Sequence, residues 1–348
     1  MDSEPTERDR LRADERTGGD MSDTATLNRL FAGIEADLAL VDHAFQERTA
    51  SDLFLLNSAV AHVLSSPGKR LRTALTLLSG KLIDYRFDKL LPLSLSLEMV
   101  HLATLVHDDI VDKATTRRGI PTVNAEHGDA VAILLGDYLF AKTSGIVAEV
   151  EDFRVDRLFA DTVARICEGT IIELLSTRRL ELSIDDYLER ISRKTACLMA
   201  ACCKGGAIVC GGSDAQIALM QQYGQNLGVA FQIIDDVLDY AGSEATIGKP
   251  TGNDLRQGLV TLPLIYALQG EHNGQIEQVR GVLERTDSPE STVDDVVRWV
   301  RAGPAISEAL DLARHYAARA RATLSEFASS PERDVLEQLV EFVVARSR

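Results

Sequence analysis

Two clusters of aspartates with the same spacing are the residues of this sequence best suited to chemistry. Both read Asp-Asp-x-x-Asp, and their members are Asp108, Asp109 and Asp112 in the first and Asp235, Asp236 and Asp239 in the second. Because the outer aspartates of each cluster are four residues apart, a helix would place them on one face, where like charges repel. A bound cation would reverse that penalty, and all-oxygen clusters without His or Cys favour Mg²⁺. Apolar stretches precede both clusters, which argues against two solvated acidic faces.

The basic residues near these clusters could bind the phosphate groups that such a metal would hold. Gly68-Lys69-Arg70-Leu71-Arg72 opens an apolar helical stretch, and a helix N-terminus favours anions. Arg117 and Arg118 follow the first cluster, and an arginine fork suits bidentate contact with phosphate. The remaining candidates are Lys194, beside Thr195, and Lys249. Together with the aspartates, these residues predict a site for a polyanion.

Helices are the elements that have to position these residues. Apolar residues recur with a helical period from about Leu27 onward, and no alternating strand pattern of useful length occurs. Both aspartate clusters end an apolar helix and precede a loop rich in Gly, Pro, Ser and Thr, at residues 113–122 and 241–258. We predict an all-α fold, with a disordered charged tail over residues 1–21 and one helical domain over residues 22–348.

Composition excludes several classes of function. The 348-residue chain has a formal net charge of -16, whereas nucleic-acid-binding proteins present a basic face. No uninterrupted apolar run reaches the roughly 18 residues that span a bilayer, and no secretory signal is recognisable. The five cysteines lack metal-binding spacing, so we expect free thiols in a reducing compartment. We therefore predict a cytoplasmic protein with no nucleic-acid partner and no transmembrane segment.

The ordered motifs of the chain resemble those of the trans-isoprenyl diphosphate synthases, of the long-chain polyprenyl type. The resemblance rests on GKRLR, HLATLVHDDIVD, TRRG, KTA, FQIIDDVLD and GKPTGNDLRQG, which occur in this order between about residues 50 and 265. It implies an all-helical bundle around a deep central cavity, usually in a homodimer. It also implies a prenyltransferase that condenses an allylic diphosphate with isopentenyl diphosphate.

The resemblance implies a role for each matching residue. The residues that would hold three Mg²⁺ ions on the allylic diphosphate are Asp108, Asp112 and Asp235, with indirect support from Asp109, Asp236 and Asp239. The side chains that would contact the same diphosphate are Arg117, Lys194 and Lys249. Those that would hold the diphosphate of isopentenyl diphosphate are Lys69, Arg72, His101 and Arg118. Thr195 and Gln232 would lie beside the developing allylic cation.

Three positions depart from the pattern of that family. Thr73 stands where Pro is frequent after the GKRLR run, a mild change at a helix start. Glu173 stands where Gln or Asp is frequent, and it could still accept a hydrogen bond from metal-bound water. Leu259 replaces a lysine that many members place near the diphosphate. One positive charge that the resemblance would lead us to expect is therefore missing.

The residues before the first aspartate cluster predict a long product. Thr104 and Ala103 stand four and five residues before that cluster, where members with C15 products carry bulky aromatic residues. The next turns add Val100 and Met99, and neither is a large plug. One helical turn rises about 5.4 Å, close to the length of an isoprene unit, so we expect a product of about C30 to C45. A large side chain farther down the pocket, such as Phe140 on a neighbouring helix, would end the growth of the prenyl chain.

Three alternatives stay open at this point. A geranylgeranyl diphosphate synthase would make a shorter product by the same chemistry. A class I terpene cyclase also ionises allylic diphosphates, but its second metal motif contains Asn, Ser or Thr and Glu instead of three aspartates. A subunit of a hetero-oligomeric synthase would need a partner, although both motifs of this chain are intact.

Overall fold

The predicted all-α fold is confirmed by the computed structural model of the chain. The structure describes residues 18–65, 69–117, 119–242, 251–270, 273–285 and 289–346, without the side chains of residues 18–22, 65 and 273. Helices dominate these residues, and their one strand pairing is a short antiparallel hairpin of β1 (Thr116–Arg117) and β2 (Ile120–Pro121). The hairpin lies in the loop predicted after the first aspartate cluster.

In the amino-terminal half of the fold, the first aspartate cluster lies at the carboxyl end of the longest helix. Its helices are α1 (Gly18–Leu30), α2 (Glu35–Thr49), α3 (Phe54–Ser65), α4 (Leu71–Lys81), α5 (Phe87–Val111), α6 (Val123–His127), α7 (Asp129–Ala148) and α8 (Phe153–Ser176). Because α5 packs on α4 and α7, most of its apolar residues are buried, and Asp108 and Asp109 lie in its last turn with Asp112 directly after it. The first cluster is thus held at the end of a rigid helix.

The carboxyl-terminal half carries the second cluster and a π-helical segment. Its elements are α9 (Ile184–Ile191), the π segment (Ser192–Ala196), α10 (Cys197–Val209), α11 (Asp214–Ala241), α12 (Asn253–Arg256), α13 (Leu262–Leu268), α14 (Asn273–Glu284), α15 (Glu290–Ala302), α16 (Ala305–Leu324) and α17 (Pro331–Ala345). A capping box of Ser213 and Gln216 starts α11, and the second aspartate cluster lies near its other end.

The centre of the fold is formed by α10 and α11. Nearly every residue of α10 is buried, and α11 packs on α10 and on α16. Glycine permits the closest approach, since a Cβ at Gly228 of α11 would lie 2.6 Å from the Cα of Ala196. The π segment therefore sits directly against the helix that carries the second cluster.

Two helices of the core are long and apolar enough to cross a membrane by length and composition alone, namely α5 and α7. The absence of a transmembrane segment was predicted from uninterrupted apolar runs, so this finding qualifies that expectation. The share of the apolar window that is buried inside the protein is 56% for α5 and 39% for α7, and the two helices pack on each other. The core helix of a folded bundle passes the same test, so the finding is weak evidence for membrane insertion.

The amino-terminal boundary of the fold differs from the predicted one. Helix α1 begins at Gly18, so the boundary expected after residue 21 falls inside a helix. Residues 1–17 lie outside the described residues, and a disordered tail there stays a prediction. Residues 243–250 of the second predicted loop also lie outside them.

Candidate active site

The first aspartate cluster occupies the carboxyl end of α5. Asp109 is buried and accepts a hydrogen bond from Nε of Arg117 at 2.7 Å, which anchors the hairpin to the helix end. Burial raises the pKa of Asp108 to about 6, with Asp112 and Glu173 adding to the rise. The pKa of Asp112 is raised as well, first by burial. The charged form of both carboxylates therefore costs free energy, because burial removes water and neighbouring carboxylates repel it. A bound cation would offset this cost.

Lys194 reaches from the π segment to the first cluster. Its ammonium donates a hydrogen bond to Glu173 of α8. Burial by itself would lower the pKa of Lys194, but the carboxylates of Glu173, Asp108 and Asp112 outweigh it and the pKa is raised. The cation therefore stays charged beside Asp108 and Asp112, where an incoming phosphate could replace Glu173 as its partner.

Gly169 of α8 allows the π segment to come this close. A Cβ at this position would lie 2.4 Å from the backbone nitrogen of Lys194 and 2.8 Å from its Cα. Helices with a π bulge often carry functional residues at that point, and here the bulge presents both Lys194 and Thr195. The backbone contact fixes where these two side chains lie.

The Gly169→Ala substitution is expected to lower kcat by roughly ten- to hundredfold, because it pushes Lys194 and Thr195 away from the reacting groups. Steady-state kinetics together with thermal melting would measure the effect. The matched control is Gly281→Ala on α14, where an added Cβ meets nothing within 4 Å. The control should keep full activity and gain up to about 1 kcal/mol of stability. Equal kinetics in both variants would contradict the positioning role of Gly169.

A chain of hydrogen bonds connects Thr195 to the second cluster. The hydroxyl of Thr195 donates to Oε1 of Gln232 at 2.8 Å, and Nε2 of Gln232 donates to Asp236 at 2.7 Å. The hydroxyl of Tyr187 donates to the other oxygen of Asp236 at 2.6 Å. Burial raises the pKa of Asp236, although both hydrogen bonds oppose the rise. The chain orients the two residues that were expected to lie beside the allylic cation.

The other two aspartates of the second cluster have different partners. Asp235 accepts a hydrogen bond from Nη2 of Arg346 at 3.0 Å. Although 36% of its side chain is exposed, the surrounding protein removes enough water to raise the pKa of Asp235, against the effect of Arg346 and Lys69. The carboxylate of Asp239 accepts the backbone N–H groups of Asn253 and Asp254, each at 3.1 Å. Asp239 therefore caps α12, and its indirect support of a metal stays a prediction.

The predicted phosphate-binding residues are only partly located. Lys69 donates to Asp23 of α1 at 2.8 Å, and Arg72 lies in the first turn of α4. His101 lies two turns before Asp108 on α5, half-buried, and shares its helix face. Arg118 and Lys249, which were expected to contact the two diphosphates, lie outside the described residues.

The residues predicted to set product length differ in burial. Met99, Val100 and Ala103 are fully buried, whereas Thr104 is half-buried. Thr104 donates its hydroxyl to the backbone carbonyl of His101 at 2.8 Å. Their part in a product pocket stays a prediction.

Phe140 does not lie where the sequence led us to expect it. Its ring centroid lies 5.9 Å from that of His107, which immediately precedes the first cluster. Helix α7 therefore brings Phe140 to the level of His107, and the expectation that it lies farther down the product pocket is wrong.

Sequence reasoning missed several residues of the site. Arg346 follows α17 and reaches Asp235, and Tyr187 of α9 reaches Asp236. Asp254 lies near Asp239 and Asp236, and burial, followed by the charge of Asp239, raises its pKa well above the ordinary value. Asp254 stands inside the GKPTGNDLRQG motif but was given no role. For Arg346 and Tyr187 the only sequence signal was their residue type, because the sequence does not show which distant segments meet.

The donor set fits a hard divalent cation. Among the residues that the structure describes, no group of three His, Cys, Asp or Glu side chains converges closely enough to hold an ion by itself. The protein would thus supply one or two carboxylate oxygens for each ion, from Asp108, Asp112 and Asp235. Mg²⁺ accepts such a site readily, since it keeps several waters and bridges to substrate phosphates.

Comparison with known proteins agrees with this geometry. The model of the family described as polyprenyl synthetase matches residues 54–300. The chain is 33% identical to heptaprenyl diphosphate synthase component 2 of Geobacillus stearothermophilus, over 92% of this chain and 99% of the relative. It is 34% identical to nonaprenyl diphosphate synthase of Mycobacterium tuberculosis, over 90% of this chain and 94% of the relative.

A solved structure with the same fold carries the corresponding ligands. The polyprenyl synthase of Caulobacter crescentus, complexed with calcium and isoprenyl diphosphate, superimposes with a TM-score of 0.88 at 35% identity, covering 92% of this chain and 98% of that one. The two aspartate clusters and the cations around them agree with the matching family model. The chain belongs to the polyprenyl synthetase family and is a prenyltransferase that condenses an allylic diphosphate with isopentenyl diphosphate.

Proposed function

We propose that the protein is an all-trans long-chain polyprenyl diphosphate synthase that uses three Mg²⁺ ions and makes a product of about C30 to C45. The observation that carries the proposal is the arrangement of the two aspartate clusters around Lys194, Thr195 and Gln232. The relatives that make heptaprenyl and nonaprenyl diphosphate support the product class. The small residues at positions 103 and 104 support it independently.

The protein groups can lower the barrier to ionisation of the allylic substrate. Mg²⁺, held by Asp108, Asp112 and Asp235, would supply charge neutralisation on the departing pyrophosphate. Lys194 would exchange Glu173 for a phosphate oxygen and stabilise the same developing charge. The oxygens of Thr195 and Gln232, fixed by their mutual hydrogen bond, would face the allylic cation.

The apolar helices around the site would protect the cation from water until the double bond of isopentenyl diphosphate attacks it. Loss of a proton, for which the departing pyrophosphate is a suitable acceptor, then restores the double bond. No side-chain nucleophile is required for this sequence of ionisation, condensation and elimination.

Assembly as a homodimer is part of the proposal. Large apolar side chains on α7 and α8 are exposed in the isolated chain, with 66% exposure at Leu134 and 70% at Leu175. Such residues are commonly covered by a partner. A hetero-oligomer is the second candidate, because one relative is named as a component of its synthase. We also propose a cytoplasmic location, which the free thiols of the described cysteines support.

The deciding experiment is incorporation of labelled isopentenyl diphosphate by the purified protein alone, with farnesyl or geranylgeranyl diphosphate as the primer. We expect Mg²⁺-dependent incorporation into a product longer than C20, identified by chromatography after phosphatase treatment. Incorporation only after addition of a second protein would favour the hetero-oligomer. A cyclic hydrocarbon made without isopentenyl diphosphate would contradict the proposed function.

A further inference from the structure

Asp23 of α1 connects the two ends of the fold at the second aspartate cluster. Its Oδ2 accepts hydrogen bonds from Nζ of Lys69 at 2.8 Å and from Nε of Arg346 at 3.2 Å. Arg346 also donates to Asp235 at 3.0 Å, and its guanidinium lies 4.8 Å from the centre of the Phe231 ring. One carboxylate oxygen thus lies between two cations, next to a residue predicted to bind metal.

The surroundings of this oxygen suit a phosphate better than a carboxylate. The side chain of Arg346 is only 11% exposed, and its Nη1 is buried without an acceptor. A buried donor without an acceptor costs about 1–3 kcal/mol, and a phosphate offers more acceptor oxygens than one carboxylate. Lys69 and Arg346 both donate to Asp23, Arg346 also donates to Asp235, and a buried donor of Arg346 has no acceptor. A larger anion could satisfy these donors together.

The contact depends on tertiary structure, because its members come from three separate segments. Helix α17 packs on both α1 and α4, and this packing brings Asp23, Lys69 and Arg346 together. Lys69 precedes α4 and is one of the four residues that the resemblance assigns to the diphosphate of isopentenyl diphosphate. Asp23 therefore neutralises a cation that the substrate needs.

We propose that Asp23 is an internal competitor for the isopentenyl diphosphate subsite, which occupies the position of a phosphate oxygen until the substrate displaces it. The proposal rests on the proposed function, since it names the substrate of that reaction. A diphosphate carries more negative charge than a carboxylate, so it can displace Asp23 from both cations. The competition sets the affinity for isopentenyl diphosphate and leaves the allylic substrate unaffected.

The test is the Asp23→Asn substitution, which keeps the shape of the side chain and removes its charge. We expect KM for isopentenyl diphosphate to fall by roughly three- to tenfold, with kcat and KM for the allylic substrate within about twofold of the wild type. Calorimetric titration with inorganic pyrophosphate, in the absence of turnover, should show tighter binding by a similar factor. Asp23→Ala should change both quantities in the same direction.

Asp37→Asn is the matched control. Asp37 of α2 pairs with Lys81 at the other end of α4, at 3.3 Å, and 18% and 19% of the two side chains are exposed, against 26% and 25% for Asp23 and Lys69. It should lose as much stability as Asp23→Asn in thermal melting and leave every KM unchanged. A fall in KM for isopentenyl diphosphate in this control would show a general charge effect and overturn the proposal.

The remaining outcomes separate the two proposals. A higher KM for isopentenyl diphosphate in Asp23→Asn, with normal turnover in the wild type, would show that Asp23 positions Lys69 for the substrate. An unchanged KM would show that Asp23 has no effect. Either result would overturn the proposal that Asp23 is a competitor and leave the proposed function intact. A wild-type protein that incorporates no isopentenyl diphosphate, alone or with a partner, would overturn the proposed function itself.

Discussion

Replacing Asp108 or Asp112 by alanine is expected to lower kcat by roughly 10²- to 10³-fold or more, because each carboxylate would hold Mg²⁺ that neutralises the charge of the departing pyrophosphate. Both pKa values are raised by burial, so the two charges cost free energy in the metal-free protein. Alanine removes that cost, and the free energy of unfolding without Mg²⁺ should not fall. The measurements are kinetics over a Mg²⁺ titration and thermal melting in EDTA.

The control for this pair is Asp88→Ala. Asp88 is an exposed aspartate in the first turn of the same helix, at the end far from the cluster. It should keep normal activity and lose a few tenths of a kcal/mol of stability, since an acidic residue in the first turn stabilises a helix. Near-normal turnover in Asp108→Ala or Asp112→Ala would remove the metal-binding role of the first cluster.

Replacing Thr104 by phenylalanine is expected to shorten the product by several isoprene units, from about C30–C45 to about C15–C20. Thr104 is half-buried, so a larger side chain there displaces less packing than at Ala103, which is fully buried near Leu135 and Leu139 of α7. Ala103→Phe would displace this packing at a cost of about 1–3 kcal/mol. Its effect on product length would therefore be mixed with a loss of protein stability. Chromatography of the dephosphorylated products measures the change.

Thr104→Val separates the effect of volume from that of the hydroxyl group. It removes the hydrogen bond to the carbonyl of His101 and keeps the size of the side chain. Its products should match those of the wild type. A wild-type product of C15 or C20, or an unchanged product in an active Thr104→Phe enzyme, would refute the pocket while leaving the family intact.

The local sequence by itself determined the fold class and the helices that carry the aspartate clusters. Apolar residues at helical spacing need no distant partner to specify a helix, and four-residue spacing places two aspartates on one face. Asp108 and Asp112 of α5, and Asp235 of α11, therefore lie where the sequence predicted. The KTA motif likewise marked Lys194 and Thr195 as candidates, and their roles stay predictions.

Only the tertiary structure decided which residues complete the site. Arg346 meets Asp235 across more than 100 residues of chain, and Asp23 meets Lys69 only because α17 packs on α1 and α4. Such contacts follow from how helices dock, and a single sequence carries little information about docking between distant segments. Phe140 was misplaced for the same reason, since its level beside α5 depends on how α7 packs. Helical periodicity reports which face of a helix is buried, whereas the depth at which two helices meet is set by the side chains of both.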